Sequence, residues 1–257
     1  MIEDHILGMK VNPLTYSHAA DQIERWLAEG GTRFVSICSV NNVVTALRDT
    51  KLMEIENSAD MVTTDGMPLV WHLKRKGHRD CSRVYGPTLM LQVLERATQK
   101  DVPVYFYGCT VDVLQKLRRN LIEKFPGLKI VGMFAPPFRE LTEEENAEHV
   151  QAINDSGARL VFVGISTPKQ EFWMHKNRPV LKNCVMLGVG AAFNFHAGLV
   201  RQAPPFIQRI GMEWFFRLVM EPRRLWRRYL FGNTYFLYRL FLSRFVNVDP
   251  PTSADIP

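Results

Sequence analysis

Val104-Tyr105-Phe106-Tyr107-Gly108-Cys109-Thr110 is a β-branched and aromatic run closed by a glycine and a hydroxyl residue. It reads as the end of a strand from Val102 to Tyr107, a tight turn and the start of a helix. The helix is written directly after it. Val113, Leu114, Leu117, Leu121 and Ile122 keep the spacing of one apolar helical face, and Gly127 after Phe125-Pro126 ends it. The same alternation recurs on both sides, with strand patterns at Phe34 to Cys38, Lys129 to Phe134, Arg159 to Val163 and Cys184 to Val189. A further helical face is carried by Leu89, Val93, Leu94 and Ala97. Strands alternating with amphipathic helices define an α/β fold with a mostly parallel sheet flanked by helices.

The alternation stops at Ala203-Pro204-Pro205, beyond which the sequence is helical and rich in arginine and aromatics. We therefore divide the chain into an α/β body (1–203), a helical appendage (204–247) and a polar, proline-containing tail (248–257) that is expected to be disordered. Charge follows this division. The net charge is +6, and from Arg201 to Val246 every basic residue is arginine, opposed by Glu213 and Glu221 alone. Interleaved Trp214, Phe215, Phe216, Trp226, Tyr229, Phe231, Tyr235, Phe236, Tyr238 and Phe241 suit an interfacial helix facing anionic headgroups better than a solvated basic face. Arg239 and Arg244 interrupt the best apolar run, so no transmembrane helix is expected. The start, MIEDHILG, has acids where a secretory signal has basic residues, which predicts a cytoplasmic protein. Cys38, Cys81, Cys109 and Cys184 are widely spaced, the pattern of reduced packing thiols.

Five segments are candidates for chemistry. Asp60-Met61-Val62-Thr63-Thr64-Asp65-Gly66-Met67-Pro68 is a short buried strand ending in an acid, then a helix from Met67 to Lys76. Asp65 at the strand end points to the crevice where open α/β sheets bind ligands; as the N-cap of that helix it has a simpler role, which spacing alone slightly favours. The turn at Gly108 suits a diphosphate on backbone N–H groups, although a plain β–α connection uses the same glycine. Gly188-Val189-Gly190 permits close approach of a ligand or, more simply, of a neighbouring element. Ile165-Ser166-Thr167-Pro168-Lys169-Gln170-Glu171 reads as a hydroxyl N-cap with proline at the first helical position. Glu221-Pro222-Arg223-Arg224-Leu225-Trp226-Arg227-Arg228-Tyr229 opens a helix on proline, with Arg224, Arg227 and Arg228 sharing a face, and arginine matches phosphate oxygens bidentately. There is no D-x-D pair and no histidine spacing of a metal site, so no metal or cofactor is expected.

These segments, with Ser39-Val40-Asn41, Arg83-Val84-Tyr85-Gly86-Pro87 and Glu213-Trp214, resemble the WecG/TagA/CpsF glycosyltransferases, glycosyltransferase family 26. The resemblance runs in order along nearly the whole chain. Ser39 stands where many members have threonine, and Tyr85-Gly86-Pro87 replaces a Thr-Gly segment. The resemblance implies a Rossmann-like body and an inverting, metal-independent transfer from a UDP-sugar to an undecaprenyl-diphosphate-linked sugar, in making surface polysaccharide or wall polymer at the inner face of the cell membrane. It implies Asp65 as the general base, which outweighs the N-cap role. Ser39, Asn41, Arg83 and Gly86 would line the substrate cleft, Gly108, Lys169 and Gln170 would hold the nucleotide sugar, and Arg223, Arg224, Arg227 and Arg228 would meet diphosphate once the appendage closes. The competing classes are a nucleic-acid-binding protein using the basic tail, for which no nucleic-acid motif speaks, and a peripheral membrane protein with an inert body. The identity of the donated sugar, the acceptor and polymer is not written in the sequence, and a homo-oligomer is left open.

Overall fold

The structure is a computed structural model that describes residues 1–209 and 211–243, without the side chains of Pro205, Arg209, Arg224 and Arg228. It opens with an antiparallel hairpin, β1 (Asp4–Ile6) and β2 (Met9–Val11), turned by Leu7 and Gly8 at φ 52° and 85°. The body follows as α1 (Tyr16–Glu29), β3 (Arg33–Cys38), α2 (Val40–Ala46), α3 (Thr50–Asn57), β4 (Met61–Thr64), α4 (Met67–Arg75) and α5 (Gly86–Gln99). It continues through β5 (Val104–Gly108), α6 (Val111–Lys124), β6 (Ile130–Phe134), α7 (Glu143–Asp155), β7 (Leu160–Gly164), α8 (Lys169–Asn177), β8 (Val185–Gly188) and α9 (Ala192–His196). From Pro205 the described elements are helices: α10 (Pro205–Arg209), α11 (Glu213–Met220) and α12 (Pro222–Leu242).

The body's six strands form one sheet in the order β4-β3-β8-β7-β5-β6, and every pairing in it is parallel. Strands buried on both faces need apolar residues at successive positions, and β5, β7 and β8 are buried along their whole length. Their side chains alternate between two cores. Tyr105, Tyr107, Val161 and Val163 pack toward α2, α3, α7 and α8. Phe106, Leu160, Phe162 and Leu187 pack toward α1, α5, α6 and α9, with Phe106 stacked on Phe162 at 5.5 Å and edge-on to Phe193 at 5.6 Å.

Helix starts follow local chemistry. Thr142 caps α7 in a capping box with Glu145, as the Thr-Glu-Glu-Glu run predicts. Two starts differ from expectation. At α4 the N-cap position belongs to Gly66 and carries no side-chain cap, so the Asp65 carboxylate is not spent on the helix. At α8 the N-cap position is Pro168, and the Thr167 hydroxyl bonds the Glu171 carboxylate at 3.0 Å instead of a backbone N–H.

The helices after Pro205 lie against the body. Phe236 of α12 is fully buried in the core shared with Val40, Val43 and Val44 of α2, and Arg48 sits 5.1 Å from the Tyr235 ring. No helix among the described residues is long and apolar enough to cross a membrane. The tail and the last residues assigned to the appendage, 244–247, lie outside the described residues.

Candidate functional site

The parallel strands deliver their C-terminal ends to one edge of the sheet, and Asp65 is the first residue past β4. Its N–H continues the ladder by donating to the Cys38 carbonyl at 2.8 Å. Arg83 arrives from the segment before α5, which is pinned beside β4 by the Val84 N–H on the Thr64 carbonyl at 2.8 Å. Nε and Nη2 of Arg83 donate to Asp65 Oδ1 at 3.0 and 2.8 Å, and Nε also reaches the Asp65 carbonyl. Nη1 donates to Glu213 Oε2 at 2.7 Å, and the guanidinium lies 4.2 Å from the Tyr85 ring. One cation is thus shared between a body carboxylate and a carboxylate of α11. Exposure falls from 21% at Asp65 through 16% at Arg83 to 8% at Glu213.

This arrangement leaves Asp65 Oδ2 without a hydrogen-bond partner among the described residues while one oxygen is fixed. Burial pushes the Asp65 carboxyl above its ordinary value; Arg83 pulls it down and Glu213 pushes it up again. A half-anchored carboxylate of raised basicity, with a free oxygen, is suited to accept a proton from a hydroxyl.

Asp65 lines a cavity of about 720 Å³. Ser39, Asn41, Arg83, Gly86 and Gln170 line the same cavity, with Ser166, Thr167 and the Gly188–Gly190 turn on the opposite side of the strand ends. The remaining wall comes from α11 and α12, through Trp214, Arg217, Leu225, Tyr229 and Phe236. Gly108 and Lys169 are not among the lining residues. A Cβ on Gly108 would meet the Gly164 carbonyl group at 2.6 Å, so this glycine allows β5 and β7 to approach at their ends. Lys169 is exposed at the start of α8. Arg223 and Arg227 are exposed on α12 away from the lining, and the side chains of Arg224 and Arg228 lie outside the described residues.

The site also contains residues beyond those assigned to it from the sequence. Glu213 meets Arg83 across 130 positions of sequence. Arg217, one helical turn further along α11, lines the cavity 5.5 Å from the Phe195 ring, and its buried Nε has no hydrogen-bond partner among the described residues. The i, i+4 spacing of Glu213 and Arg217 is the signal that places both on one face. His196 is a structural residue: Nε2 meets the Pro87 carbonyl at 2.9 Å, and burial lowers its basicity. Among the described residues no three His, Cys, Asp or Glu side chains are grouped to hold a metal ion.

Comparison with known proteins covers the whole of this site. Residues 4–249 match the model of a family described as glycosyl transferase WecG/TagA/CpsF. The chain is 32% identical over 185 residues to an N-acetylglucosaminyldiphosphoundecaprenol N-acetyl-beta-D-mannosaminyltransferase of Bacillus spizizenii, covering 72% of this chain and 70% of that protein. It is 26% identical over 185 residues, with the same shares, to the protein of the same name in Bacillus subtilis (strain 168).

Proposed function

The chain belongs to the WecG/TagA/CpsF glycosyltransferase family, and we propose that within it the protein is an inverting hexosyltransferase. It moves a sugar from a UDP-sugar to an undecaprenyl-diphosphate-linked acceptor in making surface polysaccharide or wall polymer, with Asp65 as general base. The observation that carries this reading is the Asp65 carboxylate: at a strand end, facing a cavity, one oxygen held by Arg83 and the other without a hydrogen-bond partner among the described residues.

In a single displacement the acceptor hydroxyl attacks the anomeric carbon as Asp65 Oδ2 takes its proton. The bond from that carbon to the β-phosphate oxygen breaks on the opposite face, and UDP leaves with the electron pair through an oxocarbenium-like transition state. The charge gathering on UDP needs cations. Arg217, with a buried and unpaired Nε in the cavity wall, is placed to supply one, with the arginines at the start of α12 nearby in sequence. Closure of α11 and α12 over the strand ends excludes water and strengthens each of these contacts. The exposed aromatics of α11 and α12, Trp214, Phe215, Trp226 and Phe231 among them, would seat the enzyme on the anionic inner face of the cell membrane, where the acceptor diphosphate lies.

The test is UDP release from a panel of UDP-sugars with a short-chain lipid-diphosphate-sugar acceptor, beginning with UDP-N-acetylmannosamine because the relatives' names carry that sugar. Transfer should proceed in excess chelator. Complete loss restored by magnesium or manganese contradicts the arginine-based neutralisation, and no UDP release with any donor rejects the reading.

A further inference from the structure

Beneath the cavity floor lie two carboxylates that the proposed mechanism does not use. Glu56 of α3 and Glu171 of α8 are each fully buried. Neither forms a salt bridge among the described residues, yet both accept from one amide nitrogen, Asn42 Nδ2, at 3.0 and 3.4 Å. Glu171 Oε1 also accepts from the Thr167 hydroxyl at 3.0 Å and from Gln170 Nε2 at 2.9 Å. Among the described residues the second oxygen, Oε2, of each glutamate has no partner within hydrogen-bond distance, although the Ser36 hydroxyl of β3 faces Glu56 and works to hold its carboxyl down.

This cluster ties together both walls of the site. On one side Asn42 Oδ1 accepts from the Ser39 N–H and hydroxyl at 3.2 and 2.8 Å. On the other, Gln170 Oε1 accepts from the Gly190 N–H at 3.0 Å, and Gly188 is packed so closely that a Cβ would meet Gln170 Nε2 at 2.9 Å. Ser39, Gln170 and Gly190 all line the cavity. Their positions are therefore set by the hydrogen bonds converging on the two glutamates.

Two carboxylates this close, buried and without a cation, do not both ionise, because each anion forfeits its hydration and meets the other's charge. A single proton on either Oε2 resolves the conflict and leaves both Oε1 atoms free to accept the bonds just described. We propose that Glu56 and Glu171 share one proton and act as positioning residues for the nucleotide-sugar side of the cavity, holding Ser39 and the Gln170–Gly190 contact in place only while that proton is bound. This rests on the UDP-sugar reading above.

Burial and then Glu56 push Glu171 up to about 7, and burial raises Glu56 as well; the two titrate as a pair. The other titratable group against them is the Cys38 thiol of β3, itself pushed up by burial and by both glutamates. α2 and the loop before α8 bring Asn42 and Thr167, and His175 further along α8 is taken up by Ser58 at 3.1 Å. Asp65 acts on Cys38 from just past the end of β4. The folded protein then binds more protons than the unfolded chain between the ordinary glutamate value of 4.5 and about 7, so this contribution to stability is full at acid pH and is lost as pH rises to about 7.

The test uses the full chain and UDP as the probe, with affinity and melting temperature measured from pH 5 to 8.5. Wild type should lose UDP affinity as pH passes 7, by no more than about tenfold per pH unit, the slope of one proton. Glu171→Gln, which keeps an acceptor oxygen and replaces the protonated one by an amide, should bind UDP with the acid-pH affinity at every pH and melt above wild type at pH 8. Glu56→Gln should flatten both profiles in the same way and serves if the first variant does not fold. Asp65→Asn should keep the wild-type slope. A wild-type slope in either glutamine variant, or an equal loss of affinity at all pH values, overturns the proposal. If wild type binds no UDP at any pH, the glycosyl-transfer reading fails, and the melting profiles alone decide for or against the shared proton.

Discussion

The sheet body and the helices after Pro205 treat their large apolar residues in opposite ways. In the body Phe34, Phe106, Phe162 and Phe193 are fully buried, and the sheet is covered on both faces by its own helices. On α11 and α12, Trp214, Phe215, Trp226, Phe231, Tyr238 and Phe241 are 38% to 59% exposed, while Leu225 and Phe236 anchor α12 to the body. A body so constituted is stabilised by its own burial. The appendage is held to the body along α2 and by Glu213, offers water a surface whose burial needs another phase, and through Glu213 and Arg217 it completes the site that the body begins. Each region is incomplete in a different currency: the body lacks a wall, the appendage lacks a core.

The comparison breaks most sharply at Asp65. Asp65→Asn should leave the fold and UDP binding intact and lower turnover by about two to four orders of magnitude, the span for removing a general base. Near wild-type turnover would remove chemistry from the body and leave it a binding scaffold. Next in size is Phe236→Ala. In a fixed core such a truncation costs about 3–5 kcal/mol, but α12 can release instead of strain the body. Transfer should therefore fall by about one to two orders of magnitude and amide exchange should rise in α12 and α2, with little change in the melting of the sheet. Unfolding of the whole chain in one step would show that the two regions are a single cooperative unit.

Glu213→Gln tests the link itself. Glu213 raises the Asp65 carboxyl and competes for Arg83, so its neutralisation gives Arg83 wholly to Asp65 and lowers the base. Turnover rises with pH as a base ionises, so the acid limb of the rate profile should move to lower pH, and the plateau should fall by about tenfold as basicity is lost. An unmoved limb with weakened closure would make Glu213 a clasp and nothing more.

How far the sequence discloses these regions follows from the range of the forces involved. The six body strands are legible because a sheet buried on both faces demands continuous apolar runs. The β1–β2 hairpin is not, since three-residue strands carry no period and its turn uses Leu7 at positive φ, outside the usual turn residues. At the site, Ser39, Asn41, Asp65, Arg83, Gly86 and Gln170 follow from strand ends and family motifs and meet in one cavity. The bonds of Asn42 to Glu56 and Glu171 do not follow, because those partners lie on other elements and only its bond to Ser39 is local, and no local spacing encodes the contact of Glu213 with Arg83. In the appendage, composition identifies the kind of surface but not which arginine faces inward: Arg217 lines the cavity, whereas Arg227 is exposed.

That last distinction gives the smallest expected effect. Arg227 is exposed and 5.2 Å from the Trp226 ring, a pairing that suits a headgroup contact, with the indole at the acyl boundary and the guanidinium toward phosphate. One headgroup charge among several contributes about 1 kcal/mol, so Arg227→Ala should weaken binding to vesicles containing anionic lipid by about fivefold at low salt. With no place in the lining, it should leave transfer to a soluble short-chain acceptor near the wild-type rate. The pair of measurements separates the outward and inward faces of α12. If transfer to the soluble acceptor collapses while vesicle binding holds, Arg227 turns inward during the reaction, and the helix must rotate or shift on the body when substrate enters. If both are unchanged, docking rests on the aromatics, and the positive charge of the appendage serves the diphosphates in the cavity and not the bilayer.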